Sequence, residues 1–102
     1  MIKSSYNKKS REAHNDTRSV MRILSNINRY HLMSLLISTK RNLCVYELSE
    51  HIGLSQSATS HQLAYLEARG VVKSIRIGRT KCYFPTHTNL TKKIRTVINA
   101  LK

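Results

Sequence analysis

The sequence predicts a mainly α fold with one small β-hairpin (α+β), in the order helix-helix-helix-helix-strand-strand-helix. Three observations predict it. Between residues 17 and 69 apolar side chains recur at spacings of three and four, the period of a helix with one buried face. From Val71 the pattern changes to β-branched and aromatic residues interrupted by a glycine turn. Beyond Pro85 the helical spacing returns. At 102 residues the chain is the size of one domain, and 40% hydrophobic residues suffice for a small core. Chains this short are marginally stable alone, so dimerisation is a natural remedy.

Residues 1–16 are polar, charged and aperiodic, and read as a flexible basic N-terminal arm; residues 17–102 form the domain. Asp16 and Thr17 are N-cap candidates for a first helix carrying Val20, Ile23, Leu24 and Ile27. Asn28 is the expected cap of a second, denser helix with Tyr30, Leu32, Met33, Leu35, Leu36 and Ile37. Val45, Leu48 and Ile52 mark a short third helix ended by Gly53, which suits a left-handed C-terminal residue. Ser55 caps a fourth helix that runs to about Arg69 and stops at Gly70. Residues 71–77 and 82–84 are strands joined by the turn Gly78-Arg79-Thr80-Lys81, and Pro85 ends the second. Leu90, Ile94, Val97, Ile98 and Leu101 form the stripe of a last helix whose wet side carries Lys92, Lys93 and Arg95. The first and last stripes have little else to cover them in so short a chain, which predicts a two-fold dimer.

Charge narrows the function. Eighteen Lys and Arg against five Asp and Glu leave +13. Residues 1–30 carry seven basic groups against Glu12 and Asp16, and residues 69–102 carry nine with no carboxylate, while the middle is nearly neutral. A packed centre with basic flanks points to nucleic acid. No run approaches the length of a membrane span, no apolar stretch follows the charged N-terminus as a signal peptide requires, and two cysteines make no disulfide framework. The cytoplasm, with association to the nucleoid, is the expected location. No nucleophile–base pair, phosphate loop or carboxylate pair suggests an enzyme.

Residues 45–69 read as helix, tight turn, helix: the helix-turn-helix arrangement. The second helix opens Gln56-Ser57-Ala58-Thr59-Ser60-His61-Gln62, short polar side chains that can donate and accept at base edges without bulk. The hairpin after it carries Lys73, Arg76, Arg79 and Lys81 and fits a wing that lies along the DNA backbone or enters the minor groove.

These stretches resemble the ArsR/SmtB repressors over about residues 17–101. The resemblance rests on residues 24–36, on Leu54-Ser55-Gln56-Ser57-Ala58-Thr59-Ser60-His61-Gln62-Leu63, and on Leu66-Glu67-Ala68-Arg69-Gly70-Val71-Val72 leading to Gly78-Arg79 and Tyr83-Phe84. It implies a winged helix-turn-helix homodimer, joined through its first and last helices, that reads an inverted-repeat DNA operator and represses transcription. Carried over by position, Gln56, Ser57, Ser60 and His61 face the DNA; the wing contacts expected of Arg76, Arg79 and Lys81 come from the basic hairpin itself. A non-specific basic binder, architectural or RNA-associated, explains the charge equally well but not the uncharged reading helix.

The family's sensor sites are depleted here. Arsenic- and heavy-metal-responsive members carry Leu-Cys-Val-Cys-Asp-Leu where this chain has Leu43-Cys44-Val45-Tyr46-Glu47-Leu48. Soft metals need two or three thiolates together. Zinc-responsive members carry an Asp/His pair and two His on the last helix, where this chain has His87, Asn89, Asn99 and Ala100. His14, His31 and His51 have no partner at ligand spacing. No metal or cofactor is expected. In the winged-helix topology Cys44 and Cys82 stand on neighbouring strands, so they are either small hydrophobes or a redox pair.

Overall fold

The computed structural model describes residues 8–102, with side chains from residue 15 onward. The elements are α1 (Lys8–Leu24), α2 (Ile27–Ser38), β1 (Leu43–Cys44), α3 (Val45–Ile52), α4 (Gln56–Ala68), β2 (Val72–Ile77), β3 (Thr80–Pro85) and α5 (Asn89–Leu101). The expected order stands, with the two-residue strand β1 added.

Three local expectations are corrected in this stretch. α1 starts at Lys8, so the arm boundary expected at residue 16 falls inside a helix; residues 1–7 lie outside the described residues. Residues 8–16 contain one apolar residue, Ala13, and so give no hydrophobic period, yet Lys, Arg, Glu and Ala are good helix formers. Asp16 is not a cap: its carboxylate pairs with Lys93 Nζ of α5 at 3.0 Å. The cap of α2 is Asn26 rather than Asn28. Its side chain accepts from the N–H groups of Asn28 (2.9 Å) and Arg29 (3.1 Å), because only Ser25 and Asn26 separate the two helices.

The core draws on every helix. Ile23, Leu32, Met33, Leu36, Leu48, Leu63, Leu66, Val71, Ile94 and Ile98 have no exposed surface. Each contributes roughly 1.5–3 kcal/mol by leaving water. The stripes of α1 and α5 therefore divide. Val20, Ile23, Ile94 and Ile98 pack inside the chain, where α1 meets α5, and are not free for a partner. Met21 of α1 and Val97 and Leu101 of α5 remain exposed, as does Ile27, which opens α2 rather than belonging to the first helix as expected.

The sheet is antiparallel in the order β1-β3-β2. Leu43 pairs with Tyr83 and Cys44 with Cys82; on the other side Val72 pairs with Pro85 through to Ile77 with Thr80. Leu43, Tyr83 and Val72 are buried on the core side. The hairpin turn is shorter than expected, two residues rather than four. Gly78 supplies the positive φ (+63°) and Arg79 does not need one, as in a type II′ turn that preserves the strand twist. Thr86 links α4 to α5: its hydroxyl donates to Gly70 O (2.8 Å) and shares a hydrogen bond with the Thr91 hydroxyl.

Candidate nucleic-acid interface

α4 is held so that one side faces water. Gly53 turns the chain at the end of α3 with φ +72°, and its N–H reaches Ser49 O at 3.0 Å. Ser55 then accepts from Ala58 N–H at 3.0 Å, capping α4. Thr59, Leu63 and Leu66 anchor the helix in the core, and the Thr59 hydroxyl donates to Ser55 O at 2.8 Å. On a helix this leaves positions 57, 60 and 61 outside the anchored face, while Gln56, three residues before Thr59, is exposed because it opens the first turn. Gln56, Ser57, Ser60 and His61 are all exposed, and Ala64 continues the strip. Ala58 is exposed as well. No Asp, Glu, Lys or Arg lies between Glu50 and Glu67, so the exposed strip carries hydrogen-bonding groups without fixed charge.

The wing carries the charge. Lys73, Arg76 and Arg79 are exposed, with Arg79 in the turn itself. Lys81 is placed differently: its Nζ lies 3.6 Å from Glu67 Oε1 at the end of α4 and 5.7 Å from the Tyr83 ring centroid. Glu67 also accepts from the Ser74 hydroxyl at 2.7 Å. These contacts brace the wing against the helix, and the half-exposed Lys81 is less available to a phosphate than Arg76 or Arg79.

Sequence reasoning missed one cluster. The Arg29 guanidinium lies over the Tyr65 ring, 4.2 Å from its centroid, and donates to Gln62 Oε1 (3.4 Å) on α4. Arg69 also lies against Tyr65, at 4.5 Å. Tyr65 and Arg69 stand at helical spacing and were legible as a pair. The sequence separation of Arg29 from both hid the rest.

Cys44 and Cys82 stand directly opposite on β1 and β3 and are joined as a disulfide; Cys82 is fully buried and Cys44 half-buried. At the same corner Arg41 bonds both oxygens of Glu47, at 2.8 and 3.3 Å, and Glu47 accepts from Cys44 N–H at 3.0 Å. The Arg41 bonds first, and the Cys44 N–H second, hold the Glu47 carboxyl below its ordinary range. Tyr46 is exposed on the first turn of α3. His31 and His51, read as unpartnered, line one shallow depression with Ser34, Leu35 and Ile52. Among the described residues no group of three or more His, Cys, Asp or Glu is placed to hold a metal ion. Among the same residues no helix is long and apolar enough to cross a membrane.

Comparison with known proteins bears on this geometry. Residues 27–74, from the start of α2 into β2, match the model of the family described as "Bacterial regulatory protein, arsR family". A transcriptional repressor SmtB homolog of Synechocystis is 34% identical over 79 residues, which is 78% of this chain and 58% of the relative. The chain thus spans somewhat over half the length of that relative. HlyU from Vibrio cholerae superposes with a TM-score of 0.73 at 28% identity, covering 93% of this chain and 97% of that one. The homodimeric winged helix-turn-helix DNA-binding domain Mb0332 of Mycobacterium bovis superposes with a TM-score of 0.73 over 94% of this chain and 87% of its own. At 18% identity that last likeness speaks for the fold alone.

Proposed function

The chain belongs to the ArsR family of bacterial regulatory proteins, and from that premise we propose that it is a sequence-specific DNA-binding transcriptional repressor, not an enzyme. It acts as a homodimer on an inverted-repeat operator and blocks the promoter that the operator overlaps. One observation carries the reading: Gln56, Ser57, Ser60 and His61 form an exposed, uncharged strip on α4, anchored from behind by Thr59, Leu63 and Leu66. Such groups read base edges. Arg76 and Arg79 supply phosphate contacts, which position without specifying. A regulator of this kind works in the cytoplasm, on the nucleoid. Met21, Val97 and Leu101 supply the apolar surface that a two-fold interface through α1 and α5 buries twice.

The test is selection of bound duplexes from a random pool. The reading expects an inverted repeat, bound with roughly 10³-fold or greater preference over random DNA. Equal affinity for both, with a steep salt slope, would return the non-specific basic binder.

The Cys44–Cys82 pair is the proposed input. A two-electron oxidant such as a peroxide takes both thiols to one disulfide, with two protons and two electrons leaving the sulfurs. The bond ties the start of α3 to the wing strand, so it spans both halves of the DNA-binding unit. Cytosolic disulfides are usually transient, which suits a signal. Metal is not the input: with Tyr46 in place of a second thiolate and Asn89 beside a single His87, neither family site is complete.

A further inference from the structure

Arg29 joins three helices through one planar group. It sits in the first turn of α2, where its own N–H is held by the Asn26 cap. Its Nε donates to Ile23 O at 3.1 Å and its Nη2 to Arg22 O at 2.9 Å. Those carbonyls belong to the last turn of α1, where helix geometry provides no internal partner. Its Nη1 reaches Gln62 Oε1 on α4 at 3.4 Å, and the guanidinium lies on the Tyr65 ring, 4.2 Å from the centroid. α1 packs chiefly on α2 and α5, whereas α4 packs on α2, α3 and β2. The guanidinium is therefore a polar bridge between two helices that otherwise meet mainly through α2. A fork of fixed N–H directions with one flat face fixes both distance and angle, which a lysine cannot do.

We propose that Arg29 is a positioning residue that sets the half-site spacing the protein accepts, by locking α4 to α1. The inference rests on the proposed reading, in which α1 lies at the two-fold interface and α4 in the groove. In such a dimer the separation and relative rotation of the two α4 helices are the protein's ruler. Play at the α1–α4 joint enters that ruler twice, once per protomer. One inserted base pair moves a half-site by about 3.4 Å and turns it by about 35°. A rigid joint rejects that displacement and a loose joint absorbs it.

The experiment uses the full chain and the inverted repeat that the wild type selects from a random duplex pool, together with spacer variants one base pair longer and shorter and a duplex bearing a single half-site. The wild type should lose about tenfold or more on either spacer variant, the scale of one mismatched base pair. Arg29→Gln and Arg29→Lys should both lose under about threefold, with single half-site affinity within about twofold of wild type. The lysine variant keeps the charge, so its failure to restore discrimination isolates the fork and the stack. Tyr65→Leu removes the α4 end of the bridge, leaves the α1 carbonyls bonded, and should flatten the spacer preference in the same way; it decides the matter if the Arg29 variants do not fold. Spacer discrimination of wild-type strength in a folded variant overturns the inference. So does a loss shared equally by half-site and full repeat, which marks Arg29 as merely structural. If the wild type itself selects no inverted repeat, the functional reading falls first and this inference with it.

Discussion

Ser57 and His61 stand one helical turn apart on the exposed side of α4, and neither is tied to the rest of the chain by a hydrogen bond among those described. Ser57→Ala combined with His61→Ala should cost ~1–3 kcal/mol per lost base contact on the selected operator, and almost nothing on random DNA. Gel-shift titrations on both duplexes check this, and equal losses would reject these residues as readers. Ile94 and Leu101 contrast at the same scale. Ile94 has no exposed surface, whereas Leu101 is 65% exposed. Ile94→Asp buries an unpaired charge and should cost more than ~4 kcal/mol, enough to leave a chain of this size largely unfolded. Leu101→Asp should leave the thermal midpoint of the protomer nearly unchanged and weaken the dimer. Circular dichroism and sedimentation together separate the two outcomes.

At the scale of elements, the wing and the entry to α3 make separate predictions. Arg79 stands in the two-residue turn, clear of the Glu67–Lys81 brace. Arg79→Ala should weaken operator and random DNA alike and lower the salt slope by about one. Lys81→Ala should change the slope less, since its ammonium already has a carboxylate partner. At the start of α3, the Glu47 carboxyl is depressed in the folded chain by Arg41 and by the Cys44 N–H. A depressed carboxyl contributes stability above its unfolded pKa of about 4.3 and loses it as pH falls through the folded value. Glu47→Gln should therefore melt earlier than wild type at neutral pH, with the gap closing in acid. High salt should shrink the gap, because the pair faces solvent. Melting curves at neutral and acid pH, at two salt concentrations, check it.

The whole molecule couples its parts through the Cys44–Cys82 bond, which spans 38 residues including α3 and α4. Reducing a cross-link over a loop of that size should cost about 2–4 kcal/mol of stability. Urea unfolding with and without a thiol reductant measures it, and Cys44→Ser with Cys82→Ser should unfold like the reduced wild type and ignore the reductant. Operator affinity should respond to peroxide in the wild type and not in the double variant. Arsenite, Cd²⁺ and Zn²⁺ at low micromolar levels should leave operator affinity within about threefold, a coupling below ~0.7 kcal/mol. Release of DNA at stoichiometric metal would contradict this.

Local chemistry alone determined most of the elements and the exposed uncharged strip of α4. The two hydrophobic periods, the Ser55 cap, the Gly53 stop and the uncharged run after Ser55 each act within a few residues, so each is legible without knowing what lies across the fold. The opposition of Cys44 and Cys82 was foreseeable once a winged topology was assumed. Tertiary structure decided the rest. It tied Asp16 of α1 to Lys93 of α5, a pairing that no local pattern shows. It also buried Ile94 and Ile98 within the chain, leaving Met21, Val97 and Leu101 outside. An amphipathic stripe shows that a face must be covered; whether the same chain or a second copy covers it depends on where the other helices lie. Arg29 illustrates the limit. Its partners Ile23, Gln62 and Tyr65 lie on two other helices, and a guanidinium's fork finds them only after those helices have packed.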